Sequence, residues 1–114
     1  MSAITTHVLD TARGLPASGM RVVLEWQDRR ECWHVLQHRV TNADGRAHDL
    51  WPADRKLEEG LYRLTFDTAT YFRSQNIACF YPHVMVVFEV ADASRHHHVP
   101  LLLSPFGYST YRGS

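Results

Sequence analysis

Apolar and polar residues alternate along most of this chain, which is the pattern of β-strands that bury one face. In residues 3–10, Ile4, Thr6 and Val8 share one face, and the residues between them point to the other. The same period recurs and predicts seven or eight short strands, of which the clearest cover residues 3–10, 20–26, 33–41, 60–67, 83–90, 95–103 and 106–112. Residues 68–76 lose this period and carry better helix formers, so we expect one or two helical turns there.

Turn signals separate these segments at regular spacing. The sequence Asn-Ala-Asp-Gly at residues 42–45 predicts a turn with a positive φ at Gly45, and it delivers Arg46 directly after the turn. Residues 47–59 are polar and contain proline, so we expect a long loop or an edge segment. Pro100 lacks the N–H that a sheet ladder needs, and its strand is therefore predicted to be an edge strand or to bulge.

Many short strands with at most one short helix pack most naturally as two sheets face to face. The sequence therefore predicts an all-β protein with the architecture of an antiparallel β-sandwich. The chain shows no internal repeat and no low-complexity segment, and 114 residues is an ordinary length for one domain. We expect residues 1–114 to form a single domain.

Composition and charge exclude several classes of function. Twelve basic residues balance twelve acidic ones, which excludes a nucleic-acid binder that relies on bulk charge. A hydrophobic content of 45% excludes intrinsic disorder. The apolar runs are far shorter than the roughly 20 residues of a spanning helix. Residues 1–10 lack the pattern of a secretion signal, and the chain does not end in the peroxisomal Ser-Lys-Leu. We expect a cytoplasmic protein without a membrane partner.

The two cysteines carry no recognisable motif. Cys32 and Cys79 lie far apart and form no CxxC pair. Without a secretion signal we interpret both as reduced thiols, and we expect both to be buried.

Histidine is the unusual feature of the composition, with eight histidines and a single lysine. On a strand, His96 and His98 share one face while His97 points the other way. His7 lies in a strand among polar neighbours, so two or three histidines and Arg46 could meet in one polar pocket. Four other histidines are interpreted as surface or half-buried residues: His34, His38, His48 and His83.

Other chemistry finds less support in the sequence. A zinc site could begin from two histidines on one face and a third elsewhere, but no HExxH, CxxC or same-strand carboxylate accompanies them, so no metal is expected. The absence of a GxSxG motif argues against a serine nucleophile of the α/β-hydrolase kind. The absence of a glycine-rich phosphate loop argues against nucleotide binding.

Three segments, in order along the chain, resemble the motifs of the transthyretin-like family. They are Ile-Thr-Thr-His-Val-Leu-Asp-Thr-Ala-Arg-Gly-Leu-Pro-Ala at 4–17, Thr-Asn-Ala-Asp-Gly-Arg at 41–46, and the stretch from His98 to the end. The final Tyr-Arg-Gly-Ser resembles the tetrapeptide that marks the 5-hydroxyisourate hydrolase branch. Two positions depart from the pattern: His97 stands where tyrosine is common, and Leu15 where lysine is frequent.

The resemblance implies a sandwich of two four-stranded sheets with one short helix, assembled as a homotetramer with active sites at subunit interfaces. It implies hydrolysis of 5-hydroxyisourate to 2-oxo-4-hydroxy-4-carboxy-5-ureidoimidazoline in urate degradation, with no cofactor, metal or nucleic-acid partner. It also implies the site residues. The implied catalytic residues are His7, Arg46, His98 and Ser114, and the implied substrate-binding residues are Tyr111, Arg112 and Gly113.

These residue types suit the implied reaction. A neutral imidazole, with an ordinary pKa of about 6.5, is a fitting general base near pH 7. Arg46 stays charged and can stabilise developing negative charge. The residues leave two questions open: whether His98 or His7 is the base, and whether Ser114 relays a proton or only binds.

Two functions without catalysis are the alternatives. One is a transthyretin-like protein that binds a small ligand, a branch in which the histidine, arginine and tetrapeptide pattern is lost. The other is a generic β-sandwich interaction module, which would leave the polar cluster unexplained.

Overall fold

Alternating burial organises the chain into strands, as the sequence predicts. The computed structural model describes residues 2–114, and within them eight strands and one helix follow in this order: β1 (Ile4–Asp10), β2 (Leu15–Pro16), β3 (Arg21–Gln27), β4 (Trp33–Val40), β5 (Gly60–Phe66), α1 (Thr68–Arg73), β6 (Val84–Val90), β7 (His97–Ser104) and β8 (Gly107–Thr110). In this described part of the chain the strands form two four-stranded sheets, ordered β2-β1-β7-β8 and β4-β3-β5-β6. The predicted sandwich with one short helix is confirmed.

The core lies between the two sheets and takes one face of each strand. Ile4 and Val8 of β1 are fully buried, and so are Leu64 and Phe66 of β5. Period-2 alternation leaves the opposite face of β1 free of the core, with Thr5 and His7 only half-buried. Chemistry-bearing residues of β1 are therefore presented on the outer face of their sheet.

The pairing is not antiparallel throughout. β1 and β7 run parallel, in a register that sets Ile4 opposite His97 and Asp10 opposite Leu103, whereas the other paired strands are antiparallel. The two strands are separated by the whole second sheet along the chain, so the connection is long enough for the crossover that parallel strands require.

Pro100 lies in an interior strand, so the predicted edge position is wrong. β7 is flanked by β1 on one side and β8 on the other. The Pro100 carbonyl faces β8 and accepts a hydrogen bond of 2.7 Å from the Thr110 hydroxyl. Because the β7–β8 ladder begins only at Leu101, the missing N–H of Pro100 falls outside that ladder and removes no bond from it.

The two cysteines have the oxidation state that the sequence predicts, but not the burial. Both are free thiols. Cys79 is half-buried, whereas Cys32 is exposed in the turn between β3 and β4, so its predicted burial is wrong. The turn is organised by the Asp28 carboxylate, which accepts hydrogen bonds from the Arg30 and Cys32 N–H groups. This arrangement holds Cys32 outside the core.

The buried carboxylate of Asp10 links the β2-β1-β7-β8 sheet to helix α1. Asp10 is 1% exposed, and its Oδ1 accepts hydrogen bonds from the backbone N–H groups of Ala12 and Arg13, which closes the loop after β1. Its Oδ2 accepts a 2.8 Å hydrogen bond from the Tyr71 hydroxyl of α1. Burial, reinforced by Asp10, raises the pKa of Tyr71 above its ordinary value, so this hydroxyl stays a donor.

Within residues 2–114 no helix has the length and apolar character that a bilayer crossing requires.

Replacing Tyr71 by phenylalanine tests this link. We expect Tyr71→Phe to lower the free energy of unfolding by about 1.5–3 kcal/mol, because it removes a hydrogen bond to a buried charged group. Urea unfolding gives the value. Tyr81→Phe is the matched control, since the Tyr81 hydroxyl forms no side-chain hydrogen bond within residues 2–114. Equal losses in the two variants would contradict the prediction.

Candidate active site

Strand pairing brings remote segments together on the outer face of the first sheet. The parallel register sets Thr5 opposite His98. The turn at 42–45 returns the chain so that Arg46 forms an antiparallel bridge with His7, and Gly45 has the predicted positive φ of 74°. After β8 the chain folds back, and the Gly113 N–H donates a 2.9 Å hydrogen bond to the His98 carbonyl.

These segments enclose an open cavity of about 540 Å³, whose lining residues are Thr5, Arg46, His96, His98, Tyr111, Gly113 and Ser114. Five of the residues that the sequence nominates therefore meet in one place. His7 lies beside this cavity through its bridge to Arg46 but does not line it. Arg112 lines a neighbouring cavity of about 270 Å³ between β6 and the C-terminal segment.

The site residues that the resemblance implies leave out two of the lining residues, Thr5 and His96, although the strand pattern had already placed His96 on one face with His98. Strand alternation contained the signal for both, since Thr5 shares the outer face with His7, and His96 shares a face with His98. What it lacked was the register between β1 and β7, which decides that Thr5 faces His98 rather than another residue.

A second, larger cavity of about 570 Å³ adjoins the first. The two share Thr5 and Arg46, and the remaining lining of the larger one comes from residues 2–3 and the loop after Arg46. It includes neither His96 nor His98. The larger cavity contains the imidazole of His48, but only the smaller one contains His98 and the C-terminal residues that the sequence nominates, so the smaller cavity is the candidate site.

The His98 ring is held from two sides. Its Nδ1 lies 2.8 Å from the Thr5 hydroxyl oxygen, which leaves Nε2 as the nitrogen free to act in the cavity. Its carbon edge packs against Gly113 so closely that a Cβ at position 113 would lie 2.5 Å from His98 Cδ2 and 3.1 Å from Pro100 Cγ. Only glycine fits this approach of the terminal segment to the ring.

Electrostatics keep His98 neutral. Burial lowers the pKa of its imidazole below the ordinary value of 6.5, and the positive charge of Arg46 lowers this pKa further, with additional contributions from His96 and His7. A histidine with a lowered pKa is unprotonated at pH 7 and can accept a proton.

Arg46 is an exposed cation with unused hydrogen-bonding capacity. Within residues 2–114 the ion pairs are His34–Asp28 and Arg63–Glu25, and Arg46 joins neither of them. Its guanidinium therefore remains available for an anionic or carbonyl group in the cavity.

His97 lies on the opposite face, as strand alternation predicts. It is 4% exposed, and within the described residues its Nδ1 has no hydrogen-bond partner. Burial and the nearby charge of Arg112 lower the pKa of His97 below 6.5, which keeps the core histidine neutral.

No three His, Cys, Asp or Glu side chains in residues 2–114 are grouped so as to hold a metal ion. His96 and His98 do share a face, with their ring centroids 6.3 Å apart and the planes 21° from parallel. A site that works without metal or cofactor stays a prediction of the sequence.

Comparison with known proteins gives one consistent family. The model of the HIUase/Transthyretin family matches residues 4–113. The 5-hydroxyisourate hydrolase of Mus musculus is 45% identical over 114 residues, which covers 99% of this chain and 96% of the mouse protein. The structure of Klebsiella pneumoniae 5-hydroxyisourate hydrolase superposes with a TM-score of 0.83 at 35% identity, covering 97% of this chain and 98% of that one. Sea bream transthyretin in complex with thyroxine superposes with a TM-score of 0.91 at 30% identity, covering 97% and 94%.

Gly113→Ala tests the steric fit of the terminal segment. The new Cβ must push the His98 ring or the segment away, so we expect the His98 ring signals to shift in NMR spectra and the Gly113 N–H to lose its protection from hydrogen exchange. Gly107→Ala is the control, because a Cβ there meets only Ser104 Oγ at an ordinary 3.6 Å. Unchanged His98 signals in Gly113→Ala would refute the steric account.

Proposed function

The chain belongs to the HIUase/Transthyretin family, and we propose that it hydrolyses 5-hydroxyisourate to 2-oxo-4-hydroxy-4-carboxy-5-ureidoimidazoline in urate degradation. The observation that carries this function is one cavity holding a neutral imidazole, an exposed guanidinium and a serine side chain, from His98, Arg46 and Ser114. We assign the reaction to one domain of residues 1–114, and the cytoplasmic location of the protein stays a prediction of the sequence.

Water attack on the cyclic acyl bond needs a base, and His98 fits that role better than His7. Its Nδ1 is engaged by Thr5, so Nε2 can take a proton from water. The same protonated ring can then return a proton to the departing ring nitrogen. His7 does not line the cavity, but its backbone forms a β-bridge with Arg46. We therefore assign His7 to positioning Arg46.

The other groups act on charge and orientation. Attack by water places negative charge on the acyl oxygen, and Arg46 is the cation available to stabilise that charge. The Tyr111 and Ser114 hydroxyls border the same cavity and can bind the polar edges of the flat heterocycle. We assign Ser114 to substrate binding. Gly113 acts through the position of His98, and Arg112 lies toward the adjoining cavity.

Ligand binding without catalysis is the second candidate. The sandwich does not separate the two functions, since the thyroxine complex of sea bream transthyretin has a higher TM-score than the Klebsiella hydrolase. Sequence identity favours the hydrolases, at 45% for the mouse enzyme against 30% for the transthyretin. The ionisable lining also suits a reactive polar heterocycle better than an apolar ligand.

We further propose a homotetramer with active sites at subunit interfaces. β6 and β8 are the edge strands on one side of the two sheets, and both border the cavity that contains Arg112. β8 carries no charged residue and β6 carries only Glu89, so these edges have few of the charges that commonly prevent pairing between chains. A second copy would continue both sheets through the same edges about a two-fold axis.

The open cavity supports a second interface. It lies on the outer face of the β2-β1-β7-β8 sheet, where Arg46 and Tyr111 are exposed. Closing an active site excludes water other than the nucleophile and strengthens the interaction of Arg46 with developing charge. A pair of dimers that meet through this face would supply the closing surface.

His98→Asn tests the base. We expect kcat for 5-hydroxyisourate hydrolysis to fall by about 10²–10⁴-fold, the contribution of a positioned general base. The substrate is generated from urate by urate oxidase, and its ultraviolet absorbance is followed. His83→Asn, an exposed histidine outside the site, is the control. In the wild type, kcat/KM is expected to rise with pH through an apparent pKa below 6.5 and then to level off, because the lowered pKa leaves the base unprotonated at neutral pH.

Two outcomes would contradict this assignment. Fast decay of 5-hydroxyisourate with both His98→Asn and His83→Asn would support the hydrolase activity but exclude His98 as its general base. A purely spontaneous rate with folded wild-type protein would exclude the hydrolase and favour ligand binding.

Val87→Lys tests the edge-to-edge interface. Val87 of β6 and Val35 of β4 are 54% and 53% exposed and lie on opposite edges of the same sheet. We expect Val87→Lys to shift the sedimenting species from four copies of the 13.2 kDa chain to smaller ones, because it buries a charge between the paired edges. Val35→Lys should leave the assembly intact. Monomeric wild-type protein at micromolar concentration would refute the tetramer.

A further inference from the structure

The Thr5 hydroxyl lies within hydrogen-bond distance of two histidine rings at the proposed site. The Thr5 Oγ1 atom lies 2.8 Å from His98 Nδ1 and 2.8 Å from His96 Nε2. A hydroxyl has a single hydrogen to donate, together with lone pairs that accept. The Thr5 hydroxyl can therefore donate to only one of these nitrogens, and in a fully bonded chain it accepts a hydrogen bond from the other.

We propose that Thr5 and His96 form a hydrogen-bond relay that holds His98 with its proton on Nδ1 and passes one proton per turnover from His98 to solvent. The inference rests on the proposed function for its catalytic part. Thr5 and His96 are positioning residues, since they act on the reaction through His98.

The relay has two directions, and each gives His98 a different role. In the first, His98 Nδ1–H donates to Thr5, and the Thr5 hydroxyl donates to His96 Nε2, which leaves His98 Nε2 bare as a base. In the second, His96 Nε2–H donates to Thr5, and the Thr5 hydroxyl donates to His98 Nδ1, which leaves a proton on His98 Nε2. The tautomer of one imidazole nitrogen is set by the bond that the other nitrogen makes, so Thr5 governs the state of His98.

The residues around His98 favour the first direction of the relay before water attacks the substrate. His98 is half-buried, and Arg46, His7 and His96 around it all disfavour a positive charge on its ring. A neutral His98 with a bare Nε2 fits this positive environment. Without a partner for Nδ1, a neutral histidine prefers its proton on Nε2, which would remove the base from the cavity.

The proton balance of the reaction requires an exit. Hydrolysis adds water across the acyl–nitrogen bond and gives a carboxyl group, which loses its proton at neutral pH because carboxyl pKa values lie near 4. The proton that His98 Nε2 first takes from water returns to the departing ring nitrogen, so the carboxyl proton is the one that must leave the site. When His98 Nε2 takes this second proton, its Nδ1 proton can pass to the Thr5 oxygen while the Thr5 proton passes to His96 Nε2. His98 then stays neutral with its proton on Nε2, and His96 carries the positive charge and releases one proton to water. An exchange of protons with water, out from His98 Nε2 and in at His96 Nδ1, reverses the shift along the chain and restores Nδ1–H on His98 for the next turnover.

His96 suits the outer end of this chain. It is exposed, whereas His98 is half-buried. Water stabilises a charged imidazolium at an exposed position and takes its proton readily, whereas the same charge on His98 would meet both burial and Arg46. The relay thus moves positive charge from the unfavourable position to the favourable one.

Thr5→Val tests the relay, with Thr5→Ser as the rescue. Valine keeps the shape of threonine and favours strands, but it removes the hydroxyl. The first measurement needs no substrate: the ¹⁵N shifts of the His98 ring report which nitrogen carries the proton. We expect an Nδ1–H tautomer in the wild type and Thr5→Ser, and mainly Nε2–H in Thr5→Val.

Activity supplies the second measurement. We expect kcat of Thr5→Val to fall by about 10–100-fold, the scale for removing a partner that orients a functional imidazole, with KM unchanged and Thr5→Ser near wild type. His96→Asn should lower kcat in weakly buffered solution and regain it as the concentration of a small imidazole buffer rises. His38→Asn, at an exposed histidine on β4, is the control.

The two measurements separate the relay from the proposed function. An Nδ1–H tautomer and unchanged kcat in Thr5→Val would overturn the relay while leaving hydrolysis intact. Wild-type protein with the expected tautomer and no hydrolysis would overturn the function and the proton transfer, while the tautomer control by Thr5 would stand. A His96→Asn variant indistinguishable from the wild type at every buffer concentration would refute the exit to solvent.

Discussion

The parallel pairing of β1 with β7 is the constraint on which the rest of the site depends. Its register sets Thr5 opposite His98 across 93 residues of sequence, and it sets His7 opposite Pro100. A slip of one residue would turn His98 into the core and bring His97 to the outer face, because successive side chains point to opposite faces. The buried residues of both strands, such as Ile4 and Leu101, hold this register through the core.

The site combines groups that would repel one another if all were charged. His7, His96, His98 and Arg46 share one region, and within residues 2–114 no ion pair neutralises Arg46. Burial and the guanidinium keep His98 neutral, so one permanent cation and one base coexist. The arrangement provides stabilisation for an anion and an acceptor for a proton in one cavity, which are the two requirements of acyl-bond hydrolysis.

The fold is shared more widely than the chemistry. This chain superposes on a thyroxine-binding transthyretin as well as on a hydrolase. In this chain the proposed chemistry lies on the outer face of one sheet, beside a terminal segment that approaches the His98 ring without a Cβ at position 113. Function on this sandwich is thus a property of a few side chains placed by a common frame.

The sequence by itself determined the longer strands, the turn before Arg46 and the split between the outward His98 and the buried His97, because alternation and turn chemistry are local properties. The two-residue β2 is too short to show an alternating pattern, and the sequence predicts a loop there. Its motifs also identified the family and most of the residues that meet in the cavity. The parallel partner of β1, the interior position of Pro100, the exposure of Cys32, the place of Arg112 and the contact of Thr5 with two histidines were decided by tertiary structure. Each of these depends on which distant segment packs alongside, and strand alternation specifies a face but carries no information about the neighbour across it.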